Sequence, residues 1–358
     1  MSNRFLRNLI AGGAVLTLSI SPTLAQCAPP MSLGQQQQAS DTAKVQPQVT
    51  VGGVVYAQFA YFLKDTAGHG NNFDVTRSYI NVIGRFPHGI GTRVTPDIYR
   101  VTDGSLSFRL KYAYVTWNPG ESPITFKFGV LNTPYVDWEE ALWDYRMQGT
   151  AAMERGGYMS SSDFGALIEG NWGNERVQLS AGVINGENYN RAPGDKRKDF
   201  AGRVSVRLIN TDDPSRTGGL RVTGYGHYGK PSGGGARQRY IGVLSYRSKL
   251  LTLAGIFAAT RDSTPTVELR PGRVISVFGV LRVPNSKVQA IARLDRIDPS
   301  TRVDDDAQTR WIGGIAYQVA PNLRVLADID HLVYQGGTTT PALEAVRSQA
   351  LFQLQFTF

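Results

Sequence analysis

From Val49 to the last residue the chain repeats one texture. Runs of about ten residues alternate apolar with polar side chains, and clusters of Gly, Asn, Asp, Ser and Pro separate them. A period of two places successive side chains on opposite faces of a strand, so the pattern dictates sheet. Helical periodicity is hard to find outside 135–155. The strand-like runs fall at 49–63, 73–86, 90–101, 106–117, 122–131, 163–173, 175–185 and 199–210. The second half continues with 218–229, 236–247, 249–261, 267–283, 287–297, 309–320, 322–334 and 345–358. This even series of short strands predicts an all-β barrel or sandwich.

Alternation alone does not say which face is wet; the content of the two faces does. In 199–210, Val204, Val206 and Leu208 oppose Arg203, Ser205 and Arg207. In 106–117, Leu106, Phe108, Leu110, Tyr112 and Tyr114 oppose Ser107, Arg109 and Lys111, and in 122–131 Ile124, Phe126, Phe128 and Val130 oppose Thr125, Lys127 and Gly129. The last run sets Phe352, Leu354, Phe356 and Phe358 against Arg347, Gln349, Gln353 and Gln355. A sandwich core would not tolerate unpaired arginines and amides. A wide barrel in lipid inverts the arrangement, apolar outside and wet inside, and closure satisfies every backbone group. The expected fold is therefore a transmembrane antiparallel β-barrel of about sixteen strands. The inward cations expected to line its pore are Arg77, Arg109, Lys111, Lys127, Arg203, Arg207, Arg239, Arg293 and Arg347.

Connections alternate in length. "NWGNER", "SYRSKLL", "RVPNSKV" and "YQVAPNLRV" are tight turns, whereas "KDTAGHGNN", "NGENYNRAPGDKRKD", "QGGTTTPALE" and 132–162 are long. Short turns at one rim and long loops at the other are what an outer-membrane barrel shows. The stretch 132–162 follows the fifth strand and holds a short helical patch around Trp138 to Met147. A loop this long in an economical barrel is usually functional. It is read as folded into the lumen, with Asp137, Glu139, Glu140, Asp144, Arg146, Glu154 and Arg155 as constriction candidates.

Around that loop the sequence resembles the phosphate-selective porin O and P family. "FKFGVLNTPYV", "MERGGY" and "SDFGALIEGNW" carry the likeness at Gly129, Pro134, Met153, Glu154, Arg155, Asp163 and Gly165. Upstream, "FDVTRSYINVIGRF" and "LKYAYVTWNP" add Arg77, Gly84, Ala113, Tyr114 and Val115. The resemblance implies a sixteen-stranded, homotrimeric, bacterial outer-membrane channel. The loop here is more acidic than basic, a departure from an anion filter built of basic residues. An acidic loop opposite an arginine-rich wall would set a field across the pore.

The first residues read as a secretory signal: Arg4 and Arg7, then the apolar "LIAGGAVLTLSI", then a small residue, Ala25, before the cut. Residues 26–48 are Gln- and Pro-rich and expected to be disordered. The barrel is expected over 49–358. Gln26 stands where a lipobox needs a small residue, so Cys27, the single cysteine, reads as unpaired; no disulfide frame or thiolate metal cluster is possible. The formal charge of +9 is spread rather than clustered, and export argues against a nucleic-acid partner.

No cofactor and no metal are expected. The chain contains four His but neither H-E-x-x-H nor G-x-S-x-G, which argues against an enzyme, although a barrel-wall phospholipase built on His227 is one rival reading. An adhesin or structural barrel is the other. The leading reading is a porin passing small hydrophilic solutes by diffusion, with a lean towards anions such as phosphate. The expected partners are membrane lipid, lipopolysaccharide and the barrel-assembly machinery, to which Phe358, Phe356 and Leu354 would present a terminal assembly signal.

Overall fold

The computed structural model describes residues 46–358, except 66, 67, 102, 121, 193, 232, 338 and 339. The expected signal segment and most of the Gln- and Pro-rich arm lie outside the described residues. The first eight strands are β1 (Gln48–Phe62), β2 (Asn71–Phe86), β3 (Ile90–Arg100), β4 (Leu106–Trp117), β5 (Ile124–Asn132), β6 (Ser162–Trp172), β7 (Val177–Ile184) and β8 (Asp199–Ile209). The other eight are β9 (Gly219–Gly229), β10 (Ala236–Arg247), β11 (Leu251–Thr264), β12 (Val267–Arg282), β13 (Val288–Asp298), β14 (Gln308–Ala320), β15 (Leu323–Tyr334) and β16 (Ser348–Thr357). Each strand pairs antiparallel with its neighbours in sequence, and β16 returns to β1, so the sheet is a closed barrel.

The alternating tail closes the sheet. Phe352 lies opposite Phe59 and Leu354 opposite Ala57. The Gly53 amide donates to the Phe358 carbonyl at 2.8 Å, and the Phe358 amide returns a bond to the Gly53 carbonyl at 3.1 Å. Phe352, Phe356 and Phe358 point outward with Leu354, whereas Gln353 points into the lumen and is buried. Closure leaves no edge strand with unpaired backbone groups.

The turns after β2, β4, β6, β8, β10, β12 and β14 gather at one rim, which we call the short-turn rim. The connections after the odd strands form the long-loop rim, with a small helix, α3 (Pro341–Val346), between β15 and β16. Arg347, expected on the inner wall of the last strand, instead caps α3 and pairs with Glu344. Pro341 opens that helix and Thr340 caps it, so the strand begins only at Ser348.

Bulges interrupt several strand pairs, at Thr76 of β2 among them, but the faces named from the alternation need one correction, at β4. Pro96 pairs with Leu110 and Thr95 with Tyr112, so Lys111 is an extra residue in the ladder. This bulge flips the phase. Leu106, Phe108 and Leu110 point outward as expected, but Tyr112 and Tyr114 turn inward and are buried, and Val115 and Trp117 take the outward positions.

The barrel interior is not uniformly wet. On β10 to β12 the inward positions include Ile241, Val243, Ile256, Val274, Phe278 and Val280, all buried. They form one cluster with residues of the 132–162 loop. A sheet covered on both sides loses its alternation, and "LAGIFAA" and "VISVFGVL" show that loss.

Candidate constriction

The loop between β5 and β6 folds into the lumen and carries two helices, α1 (Val136–Trp143) and α2 (Ala152–Arg155). Asp137 and Glu139 sit in the first turn of α1, where carboxylates favour the positive helix end, and Asp144 ends it with a φ of 63°. Trp138, Leu142, Trp143, Tyr145 and Met153 are at most 1% exposed. Trp143 packs edge-on against Phe278 with ring centroids 5.1 Å apart. The loop therefore lies on the wall as a packed belt.

Polar clamps follow the belt around the barrel. The Arg203 Nε donates to the Pro134 carbonyl at 2.7 Å, and Arg216 pairs with Asp137 at 2.7 Å. Arg247 donates to the Ala141 carbonyl at 2.6 Å, and Arg282 and Arg324 hold Asp144 at 3.8 and 3.6 Å. Farther on, Tyr145 donates to Gln289 at 2.6 Å, Gln353 donates to the Met147 carbonyl at 2.9 Å, and Gln148 donates to Asp330 at 3.2 Å. Arg155 pairs with Asp295 at 3.1 Å, and Arg239 donates to the Tyr158 carbonyl at 2.9 Å. At the centre, the fully buried Arg293 joins Asp295 at 2.8 Å and Glu139 at 3.2 Å, beneath Trp143 and Phe278.

The acidic loop thus does not simply face the arginine wall: three of its carboxylates are clamped to it. Burial alone would raise the Asp137 carboxyl, but Arg216, with Arg93 and Lys127 beyond it, holds it well below the usual carboxylate range. Burial pushes Glu139 and Glu140 up, outweighing Arg293 for the first and Arg146 with Lys111 for the second. Glu140 pairs with Arg146 at 2.6 Å, and Glu154 accepts from the Ser161 amide at 3.3 Å.

The belt's polar clamps run from β8 round to β16, and the inward tyrosines Tyr56, Tyr79, Tyr112 and Tyr114 of β1, β2 and β4 are buried in the same cluster as the belt. Glu140 and Arg146 lie close enough to the β1 to β4 wall to act electrostatically on Lys111, Tyr56 and Tyr79. There Arg77 and Arg109 share Asp97 at 2.7 and 2.9 Å. Lys111 donates to the Tyr79 hydroxyl at 3.3 Å and lies over the rings of Tyr79 and Tyr112. Arg93 also lies over the Tyr112 ring, at 4.5 Å, and donates to Asn81 at 2.7 Å. Among the described residues neither Lys111 nor Arg93 has a carboxylate within ion-pair distance. Cations held on aromatic faces keep their charge available without a neutralising partner.

Of the other cations expected on the wall, Lys127 pairs with Glu169 at 2.7 Å and Arg239 with Asp262 at 2.8 Å. Arg207 donates to the Asn174 carbonyl near the short-turn rim, away from the passage. Arg203 and Arg293 hold the belt. Sequence reasoning missed Arg93, which sits one strand from the Arg77 it singled out and shows the same inward parity. It also missed Arg216, in a turn where no alternation exists to flag it. His227 bonds Asp199 at 2.8 Å and the Tyr225 hydroxyl at 3.2 Å. Two residues of the family-like motif act elsewhere: Asp163 accepts the Gly186 amide of a second loop at 2.9 Å, and Gly165 pairs with Gly129 at the foot of the belt.

No protein-family model matches the sequence, and no curated protein matches it either. Among solved structures, an anion-selective porin from Comamonas acidovorans superimposes with a TM-score of 0.65 at 13% identity, covering 87% of this chain and 100% of that one. The fold is that of the outer-membrane porins. OmpF of Salmonella typhi in a daunomycin complex gives 0.65 at 13% identity over 87% of this chain and 97% of its own. A trimer form of OmpT, an outer-membrane protein of Vibrio cholerae, gives 0.62 at 13% over 87% and 99%. At such identities the porin fold is what these neighbours share with the chain.

Proposed function

We propose that the chain is a bacterial outer-membrane porin, a water-filled channel through which small hydrophilic solutes diffuse, with a preference for anions. The outward face of apolar and aromatic side chains supports the membrane placement, and the long-loop rim then faces outside the cell. The observation that carries the function is the cationic inner wall of β2 to β4 facing the belt. It carries Arg93 and Lys111, with Arg77 and Arg109 sharing a single carboxylate. On the other side, Glu140 and Arg146 offset each other. The balance is positive, and a positive constriction with low-dielectric walls concentrates anions.

Phosphate is one candidate solute, and the resemblance to the phosphate-selective family supports it. A homotrimer is the assembly proposed, in keeping with that resemblance. Insertion of the purified protein into a planar bilayer tests the reading. Stepwise conductance with a reversal potential of anionic sign in a KCl gradient is expected; absence of steps would sink the channel itself.

A further inference from the structure

The outward face of the barrel is almost free of charge. Following the pairing ladder, the outward positions of the described strand residues carry only four Arg or Lys side chains, Arg100, Arg261, Arg273 and Arg296. Asp298 is the outward carboxylate and His331 the outward histidine. Arg100 is neutralised across the rim by Asp74. The other three stand on the adjacent strands β11, β12 and β13.

They also stand together. Arg261 faces Pro271, Arg273 faces Ala259 on one side and Asp298 on the other, and Arg296 faces Ile275. Arg273 is therefore the diagonal neighbour of both other arginines, about 7–8 Å away at the backbone. Eight to ten residues of strand separate the three from Leu281, Val288 and Leu251 at the short-turn rim. At the usual rise and tilt this is about 20–25 Å along the barrel axis, the height of an apolar band. Below them the outward face is apolar and exposed, with Phe257, Val277 and Trp311, and Tyr240 stands in the same row as Arg273.

The cluster carries more positive charge than its surroundings offset. Arg273 pairs with Asp298 at 3.2 Å, and Arg296 donates to the Gln335 side chain at 2.9 Å. Arg261 is exposed and forms no ion pair among the described residues. Guanidinium groups fit phosphate oxygens in pairs, and at this level a lipid's phosphates lie beside them.

We propose that Arg261, Arg273 and Arg296 form a docking site for a phosphorylated lipid of the outer leaflet, its acyl chains lying on the apolar wall of β11 to β14. The inference rests on the membrane placement proposed above and is independent of the channel's selectivity.

Native mass spectrometry of the detergent-purified protein tests it, using lipid A with two phosphates and its dephosphorylated form as probes. Wild type should retain the phosphorylated probe, and R261Q/R273Q/R296Q should lose about a hundredfold in affinity, the sum expected from removing three basic residues at a membrane surface. R100Q should bind as wild type does. Unchanged conductance steps in the triple variant show that it has folded. Equal binding of the dephosphorylated lipid, equal loss in R100Q, or full retention by the triple variant would each overturn the proposal. A protein that conducts but fails these tests would leave the channel reading intact.

Discussion

Replacing Arg293 by methionine asks whether charge or apolar packing holds the belt in the lumen. The side chain is fully buried and bridges Glu139 and Asp295, themselves 1% exposed. Removing one partner of a buried ion pair leaves uncompensated charge and costs about 3–5 kcal/mol. Glu139, already pushed up by burial, would take up a proton and lower that cost. Against it stand Trp138, Leu142, Trp143, Met147 and Met153, each at most 3% exposed. At about 1.5–3 kcal/mol for each fully buried apolar side chain, they contribute about 8–15 kcal/mol. Packing wins by about 3 kcal/mol even at the unfavourable ends of both ranges, so fewer than about one channel in a hundred would hold a displaced belt. The R293M channel should therefore show the wild-type conductance step in a planar bilayer. W138A/W143A, which removes about 6–10 kcal/mol of packing, should show a larger step. A jump in conductance for R293M, or flicker between two levels, would refute the reasoning and make the ion pairs the clamp.

Three further outcomes are expected. Because burial raises Glu140, it takes up a proton above the ordinary glutamate range as pH falls, leaving Arg146 unopposed; anion preference measured by reversal potential should therefore rise on mild acidification and be flat in E140Q. The same sign means that protonating Glu140 favours the folded belt, so belt stability should not fall as pH drops through that window. Gly129 has a φ of 130°, and a Cβ there would sit 2.3 Å from the Ala113 carbonyl oxygen; G129A should cost about 1–3 kcal/mol and lower the temperature at which the barrel loses its compact migration on a gel. D163N removes a carboxylate that accepts the Phe164, Gly186 and Asn188 amides, at 2.7, 2.9 and 3.3 Å. It should make the 185–198 loop more sensitive to protease without changing conductance.

The barrel was legible because its physics is local. A period of two, interrupted by turn residues, marks each strand without knowledge of any partner, and both rims follow from connection lengths. Face assignment failed where one residue shifted the phase: nothing in "LKYAY" announces that Lys111 is the extra residue, because a bulge is a property of the pair of strands. Arg347 was misplaced because alternation was extended backwards through a segment that Thr340 and Pro341 start as a helix. The site was legible only in outline. That the loop enters the lumen follows from its length and helical patch, but its path depends on pairings such as Arg216 with Asp137, which join residues distant in sequence. Apolar runs with no polar alternate, as in β11 and β12, were the available sign that something covers the inner wall there.

The claim that the charge of the β2 to β4 wall decides which ions pass is tested most directly by the reversal potential of R93Q/K111Q beside wild type in the same KCl gradient. Both side chains lie on aromatic rings, and neither has a carboxylate ion-pair partner among the described residues, so their loss should move the potential towards cation selectivity while stepwise conductance persists. A potential unchanged by the double substitution would contradict the account, because the positive balance of the passage would then lie elsewhere.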